Sequence, residues 1–495
     1  MMKKMLSLLL AIMVFAATLA SCSVHKDGTD KEQSQSDDIT ESDIVTDGKE
    51  DIRYDENGYQ LDDLGDELDF GGQKINVLGW SEVESKYPEF GVKELGNNIV
   101  SNAAYLKNMS VQKRLNVILN FDTVKGWTGP GDGSGEEQFV RVQTTAGTDE
   151  IDLIGTYSWN ACSFMVNGYI SNLNSMPHLD LSKPWWNASI VEKSSIYGNI
   201  YYTTGDISSA YIGNIYAMFF NKSIVEENRL EDPYALYDDG RWTLDRMIAM
   251  SKQVATDGVY GFASYGTPLD SFYQGCGFTL VDNAPDGSLL LSDDFTSSEV
   301  HSLIGDLVDF KNNSACFIEK DGAKHLTFWN EGNVLFCLTD VFHSANFPDG
   351  NAENFGILPM PKYNEDQESY HSLVGFYYSM YCIPRSSEGD EMIGAVLECL
   401  ASESHRRVTP AYYDNLIKDR VSATVKEAMM FDIVRDCVVI DSGRIFQGHI
   451  GWKIWGEFRN SILKDSKDWM SASSSLAPGF EQKITTLNGM ADILG

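Results

Sequence analysis

Residues 74–80, Lys74-Ile75-Asn76-Val77-Leu78-Gly79-Trp80, alternate polar and apolar positions and end on an aromatic, which is the period of a strand. The text from 102 to 116 reads as a helix, with Ala103, Leu106, Val111 and Leu115 as its apolar positions, and 117–121 reads as a second strand. Beyond a Gly-rich loop at 126–135, residues 136–146 return to helix. A third strand follows in Glu150-Ile151-Asp152-Leu153-Ile154-Gly155-Thr156-Tyr157, running into Ser158-Trp159-Asn160. Strands alternating with helical text predict an α/β lobe with largely parallel strands.

The pattern continues downstream. Strands are expected at 199–204, 215–221, 259–262, 333–339, 355–358 and 377–384, and helices at 297–311, 388–402, 424–436 and 452–463. Thr243 is placed to cap the helix that starts at Leu244, with Asp245 in its favourable first turn. No internal repeat or coiled-coil heptad is visible. At 495 residues the chain exceeds what one hydrophobic core fills, so two lobes are expected.

The first residues form an export signal. Lys3 and Lys4 precede an apolar run from 5 to 20 that is too short to span a bilayer comfortably. The run ends in Leu19-Ala20-Ser21-Cys22, which resembles the lipobox of bacterial lipoproteins. That resemblance implies a signal peptide over 1–21 and diacylation of Cys22, and two acyl chains make a durable anchor. From 22 to 70 the chain runs through Asp, Glu, Ser, Thr and Gly with few large apolar residues, and is expected to be a disordered acidic tether.

Formal net charge is −34, from 38 Lys and Arg against 72 Asp and Glu. Such a field excludes nucleic acid as a partner. There are eight histidines, scattered, which argues against a metal site. Besides Cys22, the cysteines (Cys162, Cys276, Cys316, Cys337, Cys382, Cys399 and Cys437) are widely spread and show no CxxC pair. Several sit in apolar text and read as buried free thiols.

Three stretches carry a family resemblance. They are Ala217-Met218-Phe219-Phe220-Asn221-Lys222 with the helix start Gly240-Arg241-Trp242-Thr243-Leu244-Asp245, then Tyr273-Gln274-Gly275-Cys276-Gly277-Phe278, and finally Phe355-Gly356-Ile357-Leu358-Pro359-Met360-Pro361. Their order over 71–495 resembles the extracellular solute-binding lipoproteins of bacterial ABC importers, in the sugar- and oligosaccharide-binding branch (family 1 type). The helix start departs from the family pattern: no proline precedes it, and Trp-Thr stands in reversed order. The region 172–210 is also enlarged.

The resemblance implies a two-lobe, periplasmic-binding-protein-like α/β fold with central mixed sheets and a hinged cleft. Lobe 1 is expected over 71–172 and 323–375, and lobe 2 over 173–322 and 376–495. It further implies a sugar or oligosaccharide ligand, ABC permease subunits as partners, a monomer on the outer membrane face, and no cofactor, metal or catalytic residue.

A sugar site wants aromatic platforms for C–H faces and polar groups for hydroxyls, placed at strand ends that face a cleft. Trp80 and Trp159 each follow a predicted strand, and Glu82 and Asn160 stand beside them. Trp329 precedes the strand near Asn333. Asp340 ends that strand, where a carboxylate can take two hydroxyls or cap the next segment. Tyr273, Phe278 and Tyr377 are aromatics near the expected cleft. Trp185 and Trp186 are adjacent, so their side chains point apart in extended chain, and Trp186 is the candidate. Asp206, Asn214 and then Arg444 complete the set. For every one of these residues the competing reading is packing in the core or a solvated loop.

An enzyme is disfavoured. There is no Gly-x-Ser-x-Gly elbow, His-Glu-x-x-His or phosphate-binding glycine loop, and a paired-carboxylate glycoside hydrolase has only the abundance of acids in its favour. The stretch 282–287 is out of register for an EF-hand calcium loop. A binding protein for peptide, polyamine or another solute is the serious rival.

Overall fold

The computed structural model describes residues 52–127, 136–148, 150–256, 258–344, 347, 354–412 and 425–494. The export signal, Cys22, the first part of the tether, most of the Gly-rich loop and Asp257 lie outside them. Strand β1 (Gln73–Trp80) pairs in parallel with β2 (Val117–Val124), from Gln73 opposite Val117 to Trp80 opposite Val124. On its other side β1 runs parallel to β3 (Leu153–Thr156), Val77 opposite Leu153. The helix Ile99–Leu115 joins β1 to β2; Asn98 caps its start and Asn116, at φ 48°, ends it in the left-handed conformation that asparagine tolerates.

A two-residue hairpin, β4 (Ser195–Ile196) and β5 (Asn199–Ile200), follows. The second large sheet begins with β6 (Tyr216–Asn221) and β7 (Tyr260–Tyr265). The hairpin β8 (Val281–Asn283) and β9 (Leu289–Leu291) precedes β10 (Cys316–Glu319), β11 (Val334–Asp340) and β12 (Phe355–Leu358). Its strand order is β10-β7-β11-β6-β12, with β6 antiparallel to both neighbours. Every residue of β11 is buried, as a central strand covered on both faces requires. The last strand, β13 (Met380–Cys382), returns to the first sheet, whose order is β13-β3-β1-β2.

Two large sheets with helices on their faces realise the α/β expectation, and local signals in the middle of the chain held. Thr243 Oγ1 accepts the Arg246 N–H to cap Leu244–Val254, and the helix expected at 297–311 is Ser298–Lys311, with Ser297 as its cap rather than its first residue. The cysteines among the described residues are free. No described helix is long and apolar enough to cross a membrane.

The expected lobe boundaries are corrected by strand pairing. β11 lies between β7 and β6, and β12 pairs with β6, so 323–375 belongs with the second sheet rather than the first. β13 instead pairs antiparallel with β3, Tyr381 opposite Gly155, and the helix Glu391–Pro410 packs on Ile99–Leu115 in the first lobe. Trp185 and Trp186 share that core with Ile75 and Val111, so 173–207 adjoins the first sheet as well. The chain crosses between sheets where 214–216 and 373–375 run antiparallel: Tyr216 N–H donates to Leu373 O at 2.8 Å and Gly375 N–H to Asn214 O at 2.7 Å.

The expected tether boundary at 70 is corrected. Residues 52–70 pack on the first lobe: Asp62 is fully buried against Arg114, Leu64 is buried, and Tyr54 bridges to Gln60. A polar composition concealed this, because the docking rests on two ion pairs, Asp62 with Arg114 and Asp63 with Lys183, and on a few apolar residues, Leu64, Leu68 and Phe70.

Candidate functional site

Parallel strands of one sheet end side by side, and connecting loops leave from those ends. Here the ends of both large sheets converge on one cavity of about 370 Å³. The first sheet contributes Trp127 after β2 and Tyr157 and Trp159 after β3. The second contributes Tyr216 at the start of β6, Tyr265 ending β7, and Asp340, Phe342 and His343 at the end of β11. Phe376 and Tyr377 come from the crossing segment; Gln447, Trp452, Trp455 and Arg459 come from the C-terminal helical region.

One wall is aromatic. Trp127 stacks on Tyr377 at 4.4 Å and 12°, and on Tyr157 at 4.8 Å. Trp80 backs this group, 5.8 Å from Tyr157 and 6.4 Å from Tyr377, with its indole N–H given to Ser379 Oγ at 3.0 Å. Gln447 Nε2 donates to Tyr157 Oη and Ser158 Oγ, both at 2.9 Å, which ties the C-terminal region to the end of β3.

The opposite wall is polar. Asp340 Oδ2 accepts His343 Nδ1 at 2.9 Å and the Tyr265 hydroxyl at 3.4 Å, while Oδ1 accepts the His343 N–H at 3.1 Å. Burial pulls the His343 imidazole down, but the hydrogen bond and charge of Asp340 outweigh it and hold it above the ordinary value. Burial raises the phenols of Tyr157, Tyr216 and Tyr265, so they remain neutral donors. Behind the wall, burial pushes the Asp270 carboxyl up against the pull of Arg459 and Arg444.

Of the residues expected from sequence, Trp159, Asn214, Asp340 and Tyr377 line the cavity. Asn214 Nδ2 also donates to Tyr377 O at 2.7 Å, holding the crossing segment in place. Trp80 stands one layer behind. Glu82 accepts the N–H groups of Gly126 and Trp127, at 3.0 and 3.4 Å, and Asn160 Nδ2 donates to Gly126 O at 2.9 Å. Both therefore position the segment that carries Trp127.

The remaining candidates sit away from the cavity wall. Trp186 is buried with its indole N–H on Glu398 Oε2 at 3.1 Å, and Asp206 pairs with His405 at 2.6 Å. Tyr273 is buried among Phe278 and Phe458, and Phe278 packs between Tyr273 and Tyr363. Trp329 packs on Phe219, Phe347 and Phe355. Each aromatic satisfies its large apolar surface inside one lobe, and Asp206 its charge on His405, which leaves nothing to present to a cleft.

Sequence reasoning missed Trp127, Tyr157, Trp452, Trp455 and Arg459. Trp127 follows the strand 117–124 as Trp80 and Trp159 follow theirs, so the same rule finds it once β2 is extended by three residues. Trp452 and Trp455 are spaced to share a helical face, but nothing local brings that helix to the cleft. Among the described residues no group of three or more His, Cys, Asp or Glu is arranged to hold a metal ion. The arrangement is suited to holding a ligand with apolar faces and hydrogen-bonding groups.

No protein-family model and no curated protein sequence matches the chain. Solved structures do. The cyclic alpha-maltosyl-1,6-maltose binding protein of Arthrobacter globiformis matches with a TM-score of 0.55 and 13% identity, over 84% of this chain and 99% of that one. The GacH receptor of Streptomyces glaucescens, solved unliganded and with acarbose, matches with a TM-score of 0.53 and 13% identity over 84% and 99%. The galacto-N-biose/lacto-N-biose I-binding protein of the ABC transporter from Bifidobacterium longum matches with a TM-score of 0.53 and 12% identity over 85% and 98%. At such identity the likeness speaks to fold, and the fold of this chain is the two-lobed, periplasmic-binding-protein-like α/β architecture.

Proposed function

We propose that this chain is the extracellular, lipid-anchored substrate-binding component of an ABC importer, of the family 1 type. It captures a sugar or oligosaccharide in the cavity between its sheets and delivers it to permease subunits in the same membrane. The observation that carries this reading is the cavity itself: aromatic platforms at the facing strand ends of two lobes, opposite a hydrogen-bonding wall. Sugars offer apolar C–H faces and rings of hydroxyls, and this surface is complementary to both. The three matched structures described above are all receptors or binding proteins, and their names specify saccharides or acarbose.

Capture without chemistry fits the wall better than hydrolysis does. Glycoside hydrolysis needs two carboxyl groups across the scissile bond, and Asp340 is the one carboxylate among the described lining residues. Lys86 and Arg459 on the wall weigh against a polyamine. The protein acts as a monomer, and closure of the lobes follows from a ligand that gains contacts on both.

A thermal-shift and calorimetric screen of saccharides, peptides and polyamines tests the reading, because a ligand of the native state raises its apparent stability. Saccharide stabilisation supports it; stabilisation by peptide or polyamine alone overturns the sugar assignment. Anchoring is tested separately: Cys22→Ser is expected to release the protein from the membrane fraction.

A further inference from the structure

The cavity is richer in cations than the chain around it. The protein carries a net charge of −34, yet Lys86 and Arg459 line the cavity against the single carboxylate of Asp340, which also holds His343. Directly behind the wall lies Arg444, 1% exposed, with its guanidinium carbon 3.8 Å from the Phe376 ring and 5.3 Å from the Trp455 ring. Both rings face the cavity.

The charges do not cancel when paired. Asp270, fully buried, takes Arg459 Nη1 at 3.3 Å, and Asp340 takes His343 Nδ1 at 2.9 Å. Arg459 and Arg444 share the one Asp270 carboxylate, and Lys86 is left over. The Nε, Nη1 and Nη2 atoms of Arg444 make no hydrogen bond to a described residue. Lys86 forms no ion pair among the described residues and holds its ammonium 5.2 Å over the Tyr377 ring. Glu82, just before it in sequence, is turned onto the backbone amides of Gly126 and Trp127.

Donors without a partner outnumber acceptors here, since Trp455 Nε1 and the three Arg444 nitrogens lack an acceptor against the two unbonded oxygens of Asp270. A buried guanidinium without a hydrogen-bond partner is costly. Its field reaches the cavity through a single aromatic layer, where screening is weak. Such a site is complementary to a ligand that is negatively charged and rich in acceptors.

Resting on the saccharide reading, we infer that the cleft takes an acidic saccharide, one bearing a carboxylate as uronic acids do. The carboxylate is held between Lys86 and Arg459, in front of Phe376 and Arg444. Arg459 forms an ion pair with Asp270 through Nη1 at 3.3 Å and keeps its donors for a planar anion. The aromatic wall takes the sugar C–H faces, and the cations select the charge.

Calorimetry on the mature chain decides this with matched pairs: oligogalacturonate against galacto-oligosaccharide, and glucuronoxylo-oligosaccharide against xylo-oligosaccharide. The expected result is that the acidic member of at least one pair binds ten-fold or more tightly than its neutral partner. Lys86→Gln changes an exposed residue and should reduce that preference at least three-fold. Arg444→Met, of similar shape, should reduce it too while leaving the thermal midpoint unchanged or higher. Neutral members binding as tightly in every pair overturn the inference and leave the saccharide reading standing. A preference that neither substitution alters also overturns it. Stabilisation by peptide with no saccharide bound overturns both.

Discussion

The rings of Trp127 and Tyr377 lie 4.4 Å apart and 12° from parallel, although one hangs from the loop after β2 and the other from the segment crossing between the sheets. Their stack makes one aromatic surface out of a lobe and a crossing. Trp127→Ala removes the half of it that belongs to the first lobe. Saccharide affinity is expected to fall roughly ten-fold, about 1.4 kcal/mol, while Trp127→Phe retains most of it. Titration calorimetry reads the change; an unaltered affinity would take Trp127 out of ligand contact.

His343 and Asp340 give a second prediction. The imidazole is held above its ordinary value of 6.5 only because Asp340 outweighs burial. A histidine raised in the native state adds stability below its unfolded value, and this is lost as pH rises through the native one. In Asp340→Asn the burial contribution is left in command, so the His343 titration should move below 6.5. Ring-proton NMR titration of both proteins measures the shift, and an unchanged midpoint would refute the assignment of cause.

Glu398 predicts a pH effect on stability in the first lobe. It accepts the indole N–H groups of both Trp185 and Trp186 at 3.1 Å, and burial pushes its carboxyl up to about 8 against the bonds from Trp186 and the Asp180 N–H. Between 4.5 and about 8 the native state holds more protons than the unfolded chain. Stability therefore falls as pH rises through that window, by up to about 1.4 kcal/mol per pH unit. Glu398→Gln should flatten this slope, while leaving one indole without an acceptor at about 1–3 kcal/mol. Asp441, raised to about 6 by burial, contributes in the same direction to both proteins. The difference between their urea-unfolding profiles therefore isolates Glu398.

The docked segment 52–70 can be tested by truncation. Arg114 makes a two-pronged contact with Asp62, both arms at 2.7 Å, and Asp62 is fully buried. A fragment beginning at 71 leaves Arg114 without its acid and uncovers the site of Leu64. It should melt below the fragment 52–495. Asp62→Ala alone should cost about 2–3 kcal/mol, toward the lower end for a broken buried pair because Arg114 keeps access to water. Equal midpoints for the two fragments would show that the segment adds nothing.

Where an element depended on neighbours in sequence, it was legible. β1, the helix before β2 and Ser298–Lys311 follow from a period, and Leu244–Val254 from the cap at Thr243. Asp340 and Trp159 were found because strand ends are marked locally and open onto clefts. Tyr273 and Trp329 follow equally aromatic text, yet each packs within its own lobe. Aromatic text alone does not say which way a ring faces.

Composition and short-range period alone gave the acidic charge and the alternation of strands and helices, and hence an α/β chain. Long-range packing alone places β11 and β12 in the second sheet and β13 in the first, docks 52–70, and brings Trp127, Trp455 and Arg459 to one cavity. Those outcomes depend on pairing and burial between distant segments. Tyr381 opposite Gly155 and Arg114 beside Asp62 are settled by the free energy of the whole packed chain, which no local window contains.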